Sequence, residues 1–104
     1  MNATNAPRAN TPLNAMTLDV EDYFQVGVFQ SRIKSEEWDS FECRVERNLD
    51  HCLAILDEHG IKGTFFTLGW IAERFPKAIA RLAAEGHEVG SHGYGHKPIW
   101  DLDP

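Results

Sequence analysis

The sequence predicts a parallel α/β layer, with strands joined by crossover helices, and three observations support it. Short runs rich in β-branched or aromatic residues recur at 15–20, 62–69 and 87–91. Between them lie stretches whose apolar residues fall three and four apart, the spacing of a helix with one buried face. Gly60 and Gly86 follow those stretches, where a left-handed residue ends a helix. The order strand, helix, strand, helix, strand makes the strands parallel, because each return crosses the sheet through a helix.

Each element has its own justification. AMTLDV (15–20) is the first strand and runs into the acids Asp19, Glu21 and Asp22. YFQVGVFQSRIKSEEWDSFE (23–42) carries five aromatics without a clean period and is expected to be a structured loop filled by Trp38 and Phe41. Over residues 44–59, Val45, Leu49, Cys52, Leu53 and Leu56 make one apolar stripe. KGTFFTLG (62–69) is the second strand. WIAERF (70–75) opens a helical stretch with Trp70 and Phe75 in the core, and Pro76 begins a new helix at its first turn. Ile79, Leu82 and Ala83 form that helix's inner face, and HEVGS (87–91) is the third strand.

The ends are read in the same way. Asp103 before Pro104 has the pattern of an N-cap and its N1 proline, the start of a further helix. Three strands with one covered face are too few for a finished sheet, so residues 15–104 are expected to be the N-terminal part of a longer domain, truncated at its C-terminus. Residues 1–14 are expected to be a disordered leader. They lack the apolar core of a secretory signal, and a cytoplasmic location is the resulting expectation.

Composition narrows the function. The 104 residues carry a formal net charge of −6 and no basic run, which argues against nucleic acid as a partner. No apolar run approaches the roughly 18–20 residues of a membrane span. Cys43 and Cys52 form no CxxC pair and are expected to be buried, reduced thiols.

The chemistry gathers in GHEVGSHGYGH (86–96), which holds three of the five histidines. His92 and His96, four apart, suit two ligands of one metal ion, but Gly90, Gly93 and Gly95 argue against a helix there. A tight loop in which the glycines let two rings converge fits both facts. In parallel α/β folds ligands bind at the carboxyl ends of the strands, which brings this loop and the acids of the first strand to one rim. Two imidazoles, one carboxylate and open positions for water are the ligand set of a hydrolytic metal site. Strand alternation puts Asp19 and Glu21 on one side and Asp22 on the other. One acid can ligate while its neighbour takes a proton. His87 is expected to pack, and His51 and His59 to face solvent. Tyr94 is either a loop anchor or a ring on which a ligand stacks.

TLDVEDYF, KGTFFTLG and HEVGSHGYGH, in this order, resemble the polysaccharide deacetylase family, the NodB homology domain of carbohydrate esterases. The subgroup resembled most opens with Asp-x-Glu-Asp and is associated with bacterial exopolysaccharide. The resemblance implies the N-terminal portion of a (β/α) barrel-like domain of about seven parallel strands. It implies a divalent metal, zinc first with cobalt, nickel or iron as substitutes, and an N-acetylated polysaccharide or oligosaccharide as substrate. Position by position, it makes Asp19 the general base and His92 and His96 the metal imidazoles. Where the common motif has adjacent aspartates, Val20 follows Asp19, so the third ligand is Glu21 by its shared face, with Asp22 as the alternative. Gly93 stands where the family has Ser or Thr, and Ser91 is placed to brace the loop instead. By the resemblance, a metal-activated water attacks the acetyl carbonyl with Asp19 as base, and metal and a backbone amide stabilise the oxyanion. The groove residues and the general acid would lie beyond Pro104, so no substrate-binding residue is assigned. Two other expectations stand beside this one: a hydrolase of small cyclic amides or ureido compounds on the same fold, and an inactive metal-binding fragment.

Overall fold

The computed structural model describes residues 12–103. Residues 1–11 of the expected leader and Pro104 of the expected helix start lie outside the described residues.

Three four-residue strands form the sheet: β1 (Thr17–Val20), β2 (Thr64–Thr67) and β3 (Glu88–Ser91). They are parallel and ordered β1-β2-β3, with Phe65 between Leu18 and Val89, and Phe66 between Asp19 and Gly90. The crossovers are α1 (Val45–Glu58) between β1 and β2, then α2 (Gly69–Arg74) and α3 (Pro76–Ala84) between β2 and β3. Pro76 takes the first turn of α3, where its missing N–H has no intrahelical partner to lose. The 23–42 segment is built of short 3-10 turns at Tyr23–Gln25, Gly27–Phe29 and Ser35–Ser40.

Strand alternation sorts the residues. Val20, Phe65 and Thr67 point toward the helices and are buried, with Leu18 packed beside them. There they join Val45, Leu49, Leu53 and Leu56 of α1, Leu68 and Ile71 of the β2–α2 segment, and Leu82 of α3 in one core. Burying each large apolar side chain contributes roughly 1.5–3 kcal/mol. Phe24, Trp38 and Trp70 extend this core under the loop, with Trp38 and Trp70 edge to face at 5.4 Å between centroids. The opposite face carries Asp19, Phe66 and Gly90, and Phe66 there lies over Gly90, where an added Cβ would sit 2.9 Å from the ring. No helix among the described residues is long and apolar enough to cross a membrane.

Three expectations need correction. Ala83 is exposed, because the inner stripe of α3 runs through Ala78, Ile79 and Leu82. Cys43 and Cys52 are free but only half-buried, at the margin of the core rather than inside it. Burial, and secondarily the charge of Asp22, pushes the Cys43 thiol above its ordinary pKa.

Asp22 is the third correction, because it is no ligand at the rim. It is 3 % exposed and turned toward the helices. Its carboxylate accepts from Tyr23 N (3.0 Å), Arg44 N (2.7 Å) and Val45 N (3.1 Å), while its own N–H donates to Gln25 Oε1 at 2.7 Å. Arg44 gives α1 no side-chain cap of its own, so Asp22 caps that helix from 22 residues away, with its charge at the positive end of the helix dipole. Replacing Asp22 with Ala would orphan two helix N–H groups. The expected loss is about 2–4 kcal/mol, read as a lower urea midpoint, with a smaller loss for Asp22→Asn, which keeps an acceptor oxygen.

Candidate metal centre

The end of β1 and the loop after β3 converge on the open face of the sheet. Continuing each strand's alternation puts Asp19 and Glu21 on the side opposite the core, and does the same for Gly90 and His92. The ladder runs one residue past β3, since His92 N donates to Thr67 O at 3.0 Å. His92 is therefore aimed by the sheet itself, and Glu21 by the last pleat of β1.

His96 gets there by a turn. Gly93 has φ +77°, which suits glycine, and Gly93 N donates to Ser91 Oγ at 3.2 Å, the bracing expected of Ser91. Of the three loop glycines, only Gly93 has a positive φ; Gly90 makes room for Phe66, and Gly95 meets no such constraint. The second left-handed residue is His96 itself, at φ +59°. For a residue with a Cβ this conformation is uncommon and carries strain on the order of 1–3 kcal/mol, which the surrounding structure must hold.

The loop is held by α2. The first N–H groups of a helix have no partner inside it. Here Gly69 N donates to Gly93 O at 2.8 Å and Trp70 N to Tyr94 O at 3.1 Å. The approach is close enough that a Cβ on Gly69 would lie 2.8 Å from Tyr94 Cδ1 and 3.3 Å from its Cα. The Tyr94 hydroxyl donates to Glu73 Oε2 at 2.7 Å, and that hydrogen bond raises the phenol's pKa and keeps it a donor.

The result is a tight cluster. Glu21 Oε2 lies 3.0 Å from His96 Nε2 and 3.5 Å from His92 Nε2, while Asp19 Oδ2 lies 3.7 Å from His92 Nε2. One ligand atom from each of Glu21, His92 and His96 falls within 4.8 Å of the others. Tetrahedral zinc with bonds near 2.0–2.2 Å would set its donors about 3.4 Å apart. Glu21 Oε2 and His92 Nε2 are also buried and lack a hydrogen-bond partner, so the short His96 approach is not aligned as a hydrogen bond. Two buried polar atoms without partners are costly, and a cation held between Glu21, His92 and His96 would give both a partner. The donor set thus fits a divalent ion. Asp19 stands beside it with its side chain 54 % exposed, against 16 % for Glu21, and so keeps access to water.

Other histidines stay out of the cluster. His87 is buried, and its Nδ1 accepts from Gly63 N at 3.0 Å; His51 and His59 are exposed. Sequence reasoning missed Gly69, Glu73 and Gln25. Only Gln25 left a signal, since Asp22-Tyr-Phe-Gln25 has the spacing of a capping box, which the structure forms.

A polysaccharide deacetylase family model matches residues 38–104. A peptidoglycan-N-acetylglucosamine deacetylase of Bacillus cereus is 51 % identical over 41 residues, covering 39 % of this chain and 15 % of that protein. A chitooligosaccharide deacetylase of Sinorhizobium fredii is 43 % identical over 47 residues, covering 45 % and 22 %. A crystal structure from Mycobacterium smegmatis, of a protein described as a candidate polysaccharide deacetylase, superposes with a TM-score of 0.63 at 28 % identity, covering 94 % of this chain and 37 % of that one. The match thus spans about a seventh of the length of the first of these curated relatives and about a fifth of the second.

If the cluster holds a cation, Glu21→Gln and His92→Ala should each weaken Zn2+ binding in calorimetric titration by more than the roughly 10–100-fold that an outer-shell change costs. Gly69→Ala, which displaces Tyr94 and the loop behind His96, is expected to fall within that outer-shell range. Unchanged affinity in Glu21→Gln would remove it as a ligand.

Proposed function

Because the chain belongs to the polysaccharide deacetylase family, we propose that it works as a metal-dependent hydrolase removing acetyl groups from N-acetylated sugars of a bacterial polysaccharide. The observation that carries this reading is the pair of buried, unpartnered atoms, Glu21 Oε2 and His92 Nε2, that face His96 Nε2 beside an exposed carboxylate. Relatives described as acting on peptidoglycan N-acetylglucosamine and on chitooligosaccharides support the substrate class. The Asp19-Val-Glu21-Asp22 opening supports the narrower assignment to exopolysaccharide.

Each residue has a task. Glu21, His92 and His96 hold the ion, with zinc the best match to two nitrogens and one oxygen, and cobalt, nickel or iron able to use the same set. A divalent cation so held supplies a Lewis acid for the acetyl carbonyl and acidifies a water. Asp19, next to His92 yet open to solvent, takes the proton of the attacking water. Its freedom for that role follows from Glu21 occupying the ligand position on the same face. As the C–N bond breaks, the departing amine needs a proton, and no residue of this chain is assigned to give it.

The test is acetate release from N-acetylglucosamine oligomers by the full-length protein, with small cyclic amides as the competing substrate class. Asp19→Asn should lower turnover by at least about 100-fold while Zn2+ still binds, and His92→Ala should lose both. A fully active Asp19→Asn protein would remove Asp19 as the base, and turnover of cyclic amides alone would replace the substrate class.

A further inference from the structure

Tyr94 is 56 % exposed, yet it is fixed at three points. Its hydroxyl donates to Glu73, its carbonyl accepts from Trp70 N, and its ring lies against Gly69 with no room for a side chain between them. An exposed aromatic ring held this firmly has little conformational entropy left to lose when something binds against it. It stands in the wall of a cleft of about 500 Å3 together with Glu36, Trp38, Trp70 and Lys97. Trp38, Gly95 and Lys97 also line an adjoining cavity of about 230 Å3 whose wall includes His96. The cleft therefore opens beside the candidate metal centre, and its size is that of a small-ligand site, roughly 300–1,000 Å3.

We infer that this cleft is a subsite for a pyranose ring of the substrate chain, next to the sugar that is deacetylated, with Tyr94 as its platform. The inference rests on the carbohydrate reading above. A pyranose presents apolar C–H groups on its faces and hydroxyls around its rim. The exposed Tyr94 ring suits a face, while the Lys97 ammonium as donor and the Glu36 carboxylate as acceptor suit the rim. The hydroxyl of Tyr94 anchors the loop and its ring serves the ligand, so the two roles open to it from sequence are compatible.

The experiment is calorimetric binding of N-acetylglucosamine and its β-1,4 trimer to the zinc-loaded full-length protein, beside an acetate-release assay. The wild type should bind the trimer more tightly than the monomer. Tyr94→Leu should reduce that ratio about five- to tenfold, and Tyr94→Phe, which keeps the ring, should retain it. A purely structural role would weaken both sugars alike and leave the ratio unchanged, which overturns the subsite, as does a wild type that binds neither sugar. A ratio that responds to Tyr94 in a protein releasing no acetate would sustain the subsite and end the deacetylase reading. Acetate release with no response to Tyr94 would do the reverse.

Discussion

The buried carboxylate of Asp22 joins the two parts of the chain on which everything else depends. It takes the first N–H groups of α1 and the N–H of Tyr23, so the end of β1 and the start of α1 share one anion. Because neighbouring residues on an extended chain point to opposite sides, tying Asp22 into the core turns Glu21 outward to the open face. A carboxylate spent on packing thus aims the carboxylate that faces the histidines. The aromatic segment closes over the junction: Phe24 stacks on Phe41 at 5.3 Å between centroids and meets Trp70 edge to face.

The other side of the site is held by a helix terminus. Helix α2 is only six residues long and starts without a side-chain cap. Its free N–H groups go instead to the carbonyls of Gly93 and Tyr94, which satisfies the helix and locates the histidine loop in one step. The close approach demands glycine at position 69, and the backbone strain is concentrated at His96. Strain at a candidate ligand, held by hydrogen bonds from a neighbouring helix, is the arrangement expected where geometry matters more than local comfort.

These two devices use different elements of one sheet. The strands deliver Asp19 by register, and Glu21 and His92 follow one residue past the ends of β1 and β3. Only His96 depends on a turn, and Tyr94 inside that turn is pinned to Glu73 and rests on Gly69. Rigid scaffold and short loop together leave Asp19 open to water while Glu21 is mostly covered, so two acids two residues apart meet different surroundings.

The sequence by itself determined the parallel order of strands and helices, the helix limits near Gly60 and Gly86, the turn of α3 at Pro76 and the shared face of Asp19 and Glu21. All of these follow from periodicity and local backbone chemistry, which act over a few residues. What it left open was settled by contacts between residues far apart in the chain: Asp22 reaching Arg44, Gly69 meeting Tyr94, Tyr94 bonding Glu73, and Cys52 and Ala83 falling outside the core. A spacing pattern carries no trace of such meetings, because which groups satisfy a buried charge or a free helix N–H is decided only when the elements pack.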